Sequence, residues 1–180
     1  MGKLTVAPEE SPVHRPGLRV LLRTRRLKNM HTENEIVIHA PLRRIFDLGS
    51  DITDWPRFLP HYRWVTVFSD DGRVRQAEMA AIRSRFPVKW RTSQVLLPEE
   101  NRIVFFHTGG ITRGMYVEWV LREIPAAEGG GVHVRIWHEL TFPAAALTNW
   151  FAKDIVGGIF VSYIAGRTLA CIKQLAETEA

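Results

Sequence analysis

The sequence predicts an α+β fold in which a curved antiparallel sheet of about seven strands wraps around one long C-terminal helix. Three observations carry that expectation. Segments rich in β-branched and aromatic residues recur with short polar turns between them, the pattern of an antiparallel meander. Two short helix-forming stretches interrupt this pattern once, after the first strand. Residues 144–177 contain no proline, so the chain closes on an element long enough to cover a concave sheet.

The elements follow in order. Glu35–His39 reads as a short strand closed by Ala40-Pro41, and Pro41 suits the first turn of a helix, where its missing N–H costs nothing. Leu42, Ile45, Phe46 and Leu48-Gly49 then recur at helical spacing. A second short helix runs through Trp55-Pro56-Arg57-Phe58-Leu59, with Asp54 as N-cap and Pro60 as stop. Six strands are expected at Tyr62–Phe68, Val74–Arg83, Lys89–Leu97, Arg102–Thr108, Met115–Ile124 and Val132–Phe142. Their separators are Ser69-Asp70-Asp71-Gly72, Phe86-Pro87, Pro98–Asn101, Gly109-Gly110 and Glu128–Gly131. The last helix is expected over Ala144–Glu177. Gly157, Gly158 and Gly166 lie inside it, either for close packing or to leave room beneath.

The charge divides the chain unevenly. Residues 1–30 hold seven basic and two acidic residues, whereas residues 31–180 hold 17 of each. The net charge of +5 therefore sits in an extension, residues 1–32, and the patterned domain, residues 33–180, is neutral. A neutral domain excludes a basic nucleic-acid groove. For the extension three readings stand: a disordered tail, a start placed too early before Met30, or an organelle-targeting peptide, which Glu9 and Glu10 disfavour. The tail would also suit docking on an anionic membrane surface. No apolar run reaches the length of a membrane span. One cysteine, Cys171, and no secretory signal fit a cytoplasmic, reducing setting.

A curved sheet gripped on a single helix leaves volume between them, and strand alternation says what faces it. On the strand of Trp90 the inward set is Trp90, Thr92, Gln94 and Leu96. On the last two strands it is Met115, Val117, Trp119 and Leu121, and then Val134, Ile136, His138 and Leu140. Ala77, Met79, Ala81 and Arg83 point inward on the second strand of the meander. Trp55 and Phe58 from the short helices stand at the mouth, and Phe151, Ile155 and Ile159 on the long helix complete an apolar wall. Tyr62, Gln94 and His138 supply orienting hydrogen bonds. His138 reads either as a core histidine bonded to Tyr62, Gln94 or backbone or as a ligand-facing hydrogen bonder or general acid/base, and Arg83 as a rim salt bridge or an anion-capturing group. The seven histidines show no metal-ligand spacing. Phosphate-loop, dinucleotide and nucleophile-elbow motifs are missing, so no catalytic residue, metal or cofactor is assigned.

Glu35-Ile-Val-Ile-His-Ala-Pro-Leu-Arg-Arg-Ile-Phe-Asp-Leu, followed by Asp51-Ile-Thr-Asp-Trp-Pro-Arg-Phe-Leu-Pro, resembles the opening of the START-like (helix-grip, SRPBCC) superfamily. More narrowly it resembles the polyketide cyclase/dehydrase and coenzyme Q-binding branch. Ala77-Glu78-Met79, Trp90–Val95 and Leu140–Phe142 into Trp150-Phe151 are similar to the quinone-binding side. The resemblance covers residues 33–177 and implies a deep hydrophobic cavity. In the bacterial aromatase/cyclases a pocket tyrosine follows the Trp-Pro pair by about seven positions, which lands on Tyr62. Those enzymes also use a pocket arginine on the strand holding Trp90, where this chain has Gln94. The resemblance therefore implies binding of a hydrophobic small molecule such as a quinone, lipid or polyketide. The alternative is an aromatase/cyclase that folds and dehydrates a poly-ketone chain.

Overall fold

The computed structural model describes residues 28–83, 85–142 and 159–178. Seven strands form one antiparallel sheet in the order β1-β7-β6-β5-β4-β3-β2. They are β1 (Lys28–Ile38), β2 (Tyr62–Asp70), β3 (Val74–Arg83), β4 (Phe86–Leu97), β5 (Arg102–Gly110), β6 (Tyr116–Glu123) and β7 (Val132–Phe142). Helices α1 (Leu42–Ser50) and α2 (Trp55–Phe58) separate β1 from β2, and α3 (Ile159–Thr178) follows β7. The meander from β2 to β7 pairs each strand with its successor. The first strand breaks that rule by pairing with the last, from Lys28↔Phe142 to Ile38↔Val132.

The order of elements is the one expected, but several boundaries move. Strand β1 begins at Lys28 rather than Glu35, so residues 28–32 pair with β7 instead of belonging to the extension. The strand expected to start at Lys89 starts at Phe86, and Phe86-Pro87 is not a separator. A proline is tolerated there because β4 pairs with β5 only from Trp90 onward, so the missing N–H at Pro87 faces no ladder on that side. Asp54 precedes α2 but makes no side-chain cap; its carboxylate accepts from Arg57 Nη1 at 2.8 Å. Pro41 sits at the cap of α1 rather than in its first turn. The stretch expected as helix between Ala144 and Gly158 lies outside the described residues.

Helix α3 buries Val161, Ile164, Ala165, Thr168, Leu169, Ile172 and Ala176, a stripe at three- and four-residue spacing. That stripe faces the inner residues of the sheet: Ala77, Met79, Ala81, Trp90, Ile103, Phe105, Val117, Trp119, Val134 and Ile136, all buried. Burying one such aliphatic or aromatic side chain contributes about 1.5–3 kcal/mol, so this layer dominates the stability. The C-terminal half of α3 is tied down by polar bonds as well. Lys173 Nζ donates to the Val37 carbonyl at 2.7 Å, Glu177 accepts from the His39 amide at 2.7 Å, and Arg44 donates to the Leu175 carbonyl at 3.2 Å. Helix α1 lies close on the sheet, and Gly49 makes this approach feasible. A Cβ there would stand 3.2 Å from both Ile103 Cδ1 and Trp119 Cζ3. No described helix is long and apolar enough to cross a membrane.

Candidate functional site

Between the sheet and α3 lies a cavity of about 70 Å3. Four parts of the chain build it. Helix α2 contributes Trp55, whose indole N–H is fixed by the Leu48 carbonyl at 3.0 Å. The meander contributes Tyr62, Met79, Trp90, Phe105, His107, Val117, Trp119, Ile136 and His138 from β2 to β7. The hairpin between β5 and β6 adds Thr112 and Met115, and α3 adds Val161, Ile164, Ala165 and Thr168. The aromatic rings form a continuous chain. Trp55 packs edge-on to Tyr62 at 4.8 Å and is stacked on Trp119 at 6.0 Å, Tyr62 meets Trp90 at 6.1 Å, and Trp90 stacks on His107 at 5.7 Å. A space of 70 Å3 holds a few waters, each needing about 10–15 Å3 by the same measure. A fused-ring ligand needs more, so side chains or helix must move to admit one.

The polar groups in this wall are held neutral. Burial pushes His107 and His138 down to about 3, each helped by a neighbouring histidine, His138 for the former and His31 for the latter. Burial also drives the Tyr62 phenol far above its usual range, only partly opposed by the Thr168 hydroxyl. His107 Nδ1 lies 2.7 Å from the Thr112 hydroxyl. His138 Nδ1 is buried and has no hydrogen-bond partner. Within the wall, Thr168 spends its proton on the Ile164 carbonyl at 2.8 Å. His61 Nε2, 2.9 Å from the Thr168 oxygen, must therefore carry the hydrogen. That tautomer leaves His61 Nδ1 as a buried lone pair without a partner. Burial first, and then Arg167, lower His61 to about 4.

The expected site residues divide. Trp55, Tyr62, Met79, Trp90, Trp119, Ile136 and His138 come together in the cavity wall. Gln94 does not line it, although it is fully buried on the inner face: Gln94 Nε2 donates to the Ser50 carbonyl at 2.8 Å and Oε1 accepts from Arg75 at 3.3 Å. Its amide therefore closes the C-terminal end of α1 and is spent on structure. Phe58 is half-buried and borders a shallow polar groove along α1 and α2 instead. Phe151 and Ile155 lie outside the described residues, as do the side chains of Arg83 and Ile159. Sequence reasoning missed the apolar lining residues Phe105, Val161, Ile164 and Ala165 and, among the polar ones, His107, Thr112 and Thr168. The alternation Ile103, Phe105, His107 along β5 was sufficient to find His107. Thr112 sits in a turn and Thr168 on a helix, where no period of two applies.

Comparison with known proteins gives a consistent picture. A family model described as polyketide cyclase / dehydrase and lipid transport matches residues 38–160. A Streptomyces halstedii protein whose name places it among the polyketide cyclases is 46% identical over 46 residues, which span 25% of this chain and 42% of that protein. Among solved structures, the Zhui aromatase/cyclase from Streptomyces sp. R1128 superposes with a TM-score of 0.72 at 15% identity, covering 83% of this chain and 94% of that one. The di-domain BexL aromatase/cyclase of the BE-7585A biosynthetic pathway gives 0.71 at 19% identity, covering 83% and 50%. A START superfamily protein from Mycobacterium smegmatis gives 0.61 at 15%, covering 84% and 99%. At these identities the structural likeness is one of fold.

Proposed function

The chain belongs to the polyketide cyclase/dehydrase and lipid transport family, and we propose that it encloses an uncharged, ring-containing hydrophobic molecule between its sheet and α3. The observation that carries this reading is the make-up of the wall. Three indoles, a phenyl and a phenol offer ring faces, and every ionisable group among the described lining residues is held neutral. A charged ligand entering this wall would lose its hydration and find no counter-charge, a cost of several kcal/mol. A ketone, quinone or phenol would find hydrogen-bonding groups at Tyr62, His107, Thr112 and His138. Extraction of the purified protein followed by mass spectrometry tests the reading. The expected result is a neutral aromatic or polyketide-like molecule; a phospholipid or free fatty acid in stoichiometric amount would overturn it.

The second reading is an aromatase/cyclase acting on a poly-ketone chain, favoured by two neutral histidines in the same wall and by the likeness to such proteins. Its difficulty is quantitative. A general acid or base works best with a pKa near the working pH, and both histidines titrate about 3 to 4 pH units lower. They suit hydrogen bonding better than proton transfer. Incubating the protein with a synthetic poly-ketone thioester separates the readings: binding without ring formation is expected, and catalytic turnover would reverse the order.

A further inference from the structure

We propose that Thr32, Asn34 and His138 form a subsite, beside the cavity and continuous with it at His138, that takes one hydroxyl group of the ligand; the inference rests on the cavity reading above. The observation is a cluster of unmet hydrogen bonds. Thr32 Oγ1, Asn34 Oδ1 and His138 Nδ1 are all buried and have no partner. Thr32 and His138 stand opposite each other in the β1–β7 pairing, and Asn34 is the next inward residue along β1. Side chains in such positions on one face lie within reach of one another and of a shared group. His138, 7% exposed, also lines the cavity, so the cluster and the cavity meet at one ring.

The chemistry selects the occupant. Asn34 Nδ2 donates to the Ser162 carbonyl, 3.2 Å away, which only accepts, and this fixes the amide with Oδ1 turned elsewhere. Asn34 Oδ1 can only accept, whereas Thr32 Oγ1 can donate or accept. A carbonyl oxygen cannot satisfy Asn34, and a hydrocarbon satisfies neither. A hydroxyl donates to Asn34 and accepts from Thr32 with the same oxygen. Gln94, buried on the same inner face, has both ends of its amide bonded, whereas three unmet atoms at neighbouring inward positions of β1 and β7 mark a place where a partner belongs. Water has the same chemistry as an alcohol, and the test must tell them apart.

Equilibrium dialysis of the full chain against 2-naphthol and against naphthalene reads the subsite. The protein should prefer the naphthol about tenfold, and Thr32→Val should abolish most of that preference while leaving naphthalene binding intact. Val replaces an unpartnered hydroxyl by a methyl of the same shape, so the fold should survive with an unchanged or higher melting temperature. Equal binding of both probes by the parent protein, or full preference retained in Thr32→Val, overturns the subsite while the cavity stands. Binding of neither probe overturns the cavity reading itself. A crystal structure of the naphthol complex with a water bonded to Thr32 and Asn34, and the naphthol oxygen elsewhere, also overturns the subsite.

Discussion

Gln94 on β4 and His138 on β7 are the same kind of residue by sequence and opposite kinds by structure. Both are polar, both fall on the inward phase of a strand, and both are at least 90% buried. Gln94 has its amide nitrogen bonded to the end of α1 and its amide oxygen bonded to Arg75. His138 has a ring nitrogen with no bond at all and a place in the cavity wall. Alternation therefore tells which polar groups are inside, and the count of their partners tells what they are for. A bonded group holds the scaffold, while an unbonded one is open to a ligand.

The largest effect that sharpens this contrast is pH dependence. His61, His107 and His138 are lowered from an ordinary 6.5 to about 4, about 3 and about 3. The unfolded chain binds protons below about pH 6.5, whereas the folded chain resists them, so stability is fully present above that value and falls as the pH drops toward 4. The slope approaches about 1.4 kcal/mol per pH unit for each histidine. Urea unfolding between pH 6.5 and 5, above the range of the carboxylates, should show this fall, and His138→Phe should flatten it. Gln94 contributes nothing to that slope; its replacement acts equally at every pH.

Next in size is Gln94→Ala, which removes one of the two donors to the buried Ser50 carbonyl, Arg75 Nη1 at 2.9 Å being the other, and the acceptor that Gln94 offers Arg75 at 3.3 Å. A loss of about 1–3 kcal/mol in urea-unfolding stability is expected, with affinity for an apolar probe changed much less. A large loss of affinity at unchanged stability would place Gln94 in the site after all. His138→Ala should show the converse. Affinity for a ketone probe such as 2-acetonaphthone should fall roughly 2- to 13-fold, the worth of one neutral hydrogen bond, with no stranded partner to depress stability. The smallest effect is expected from removing residues 1–27. A chain beginning at Lys28 keeps every β1–β7 pair and should melt at an unchanged temperature by calorimetry. A drop of many degrees would mean that the extension contributes contacts of its own.

How much of this was legible beforehand depends on the range over which each contact acts. The element order, the inward faces of β4, β6 and β7, and the cavity between sheet and helix all follow from local periodicity. The identity of the Gln94 partner does not, because the Ser50 carbonyl is 44 residues away and becomes available only where α1 ends. The early start of β1 was hidden for a related reason. His31 and Glu33 point outward and read as polar chain ahead of the strand, and only the opposite strand reveals their place in a ladder with Glu35: His133 bonds Glu35 at 3.0 Å and Arg135 meets Glu33 at 3.4 Å. Gly109-Gly110 marked a turn but carried no sign that it would deliver Thr112 to His107. Gly110 adopts φ +81° there, and a side chain at that position would collide with the Lys89 carbonyl, a demand visible only once β4 and β5 are side by side.

The pairing of the first strand with the last also sets a schedule. Partners in the β1–β7 ladder lie roughly 100 residues apart, the kind of long-range closure that slows folding more than any local step. During synthesis at about 5–20 residues per second, β1 leaves the ribosome some 5–20 s before β7 exists to receive it. Until then Ile36 and Ile38 have no sheet to cover them, and the strand is a sticky edge available to other chains. Thr32 and Asn34 sit on this same strand, so whatever the cavity comes to hold, the wall that would recognise a hydroxyl waits for β7 and α3, the last elements to emerge.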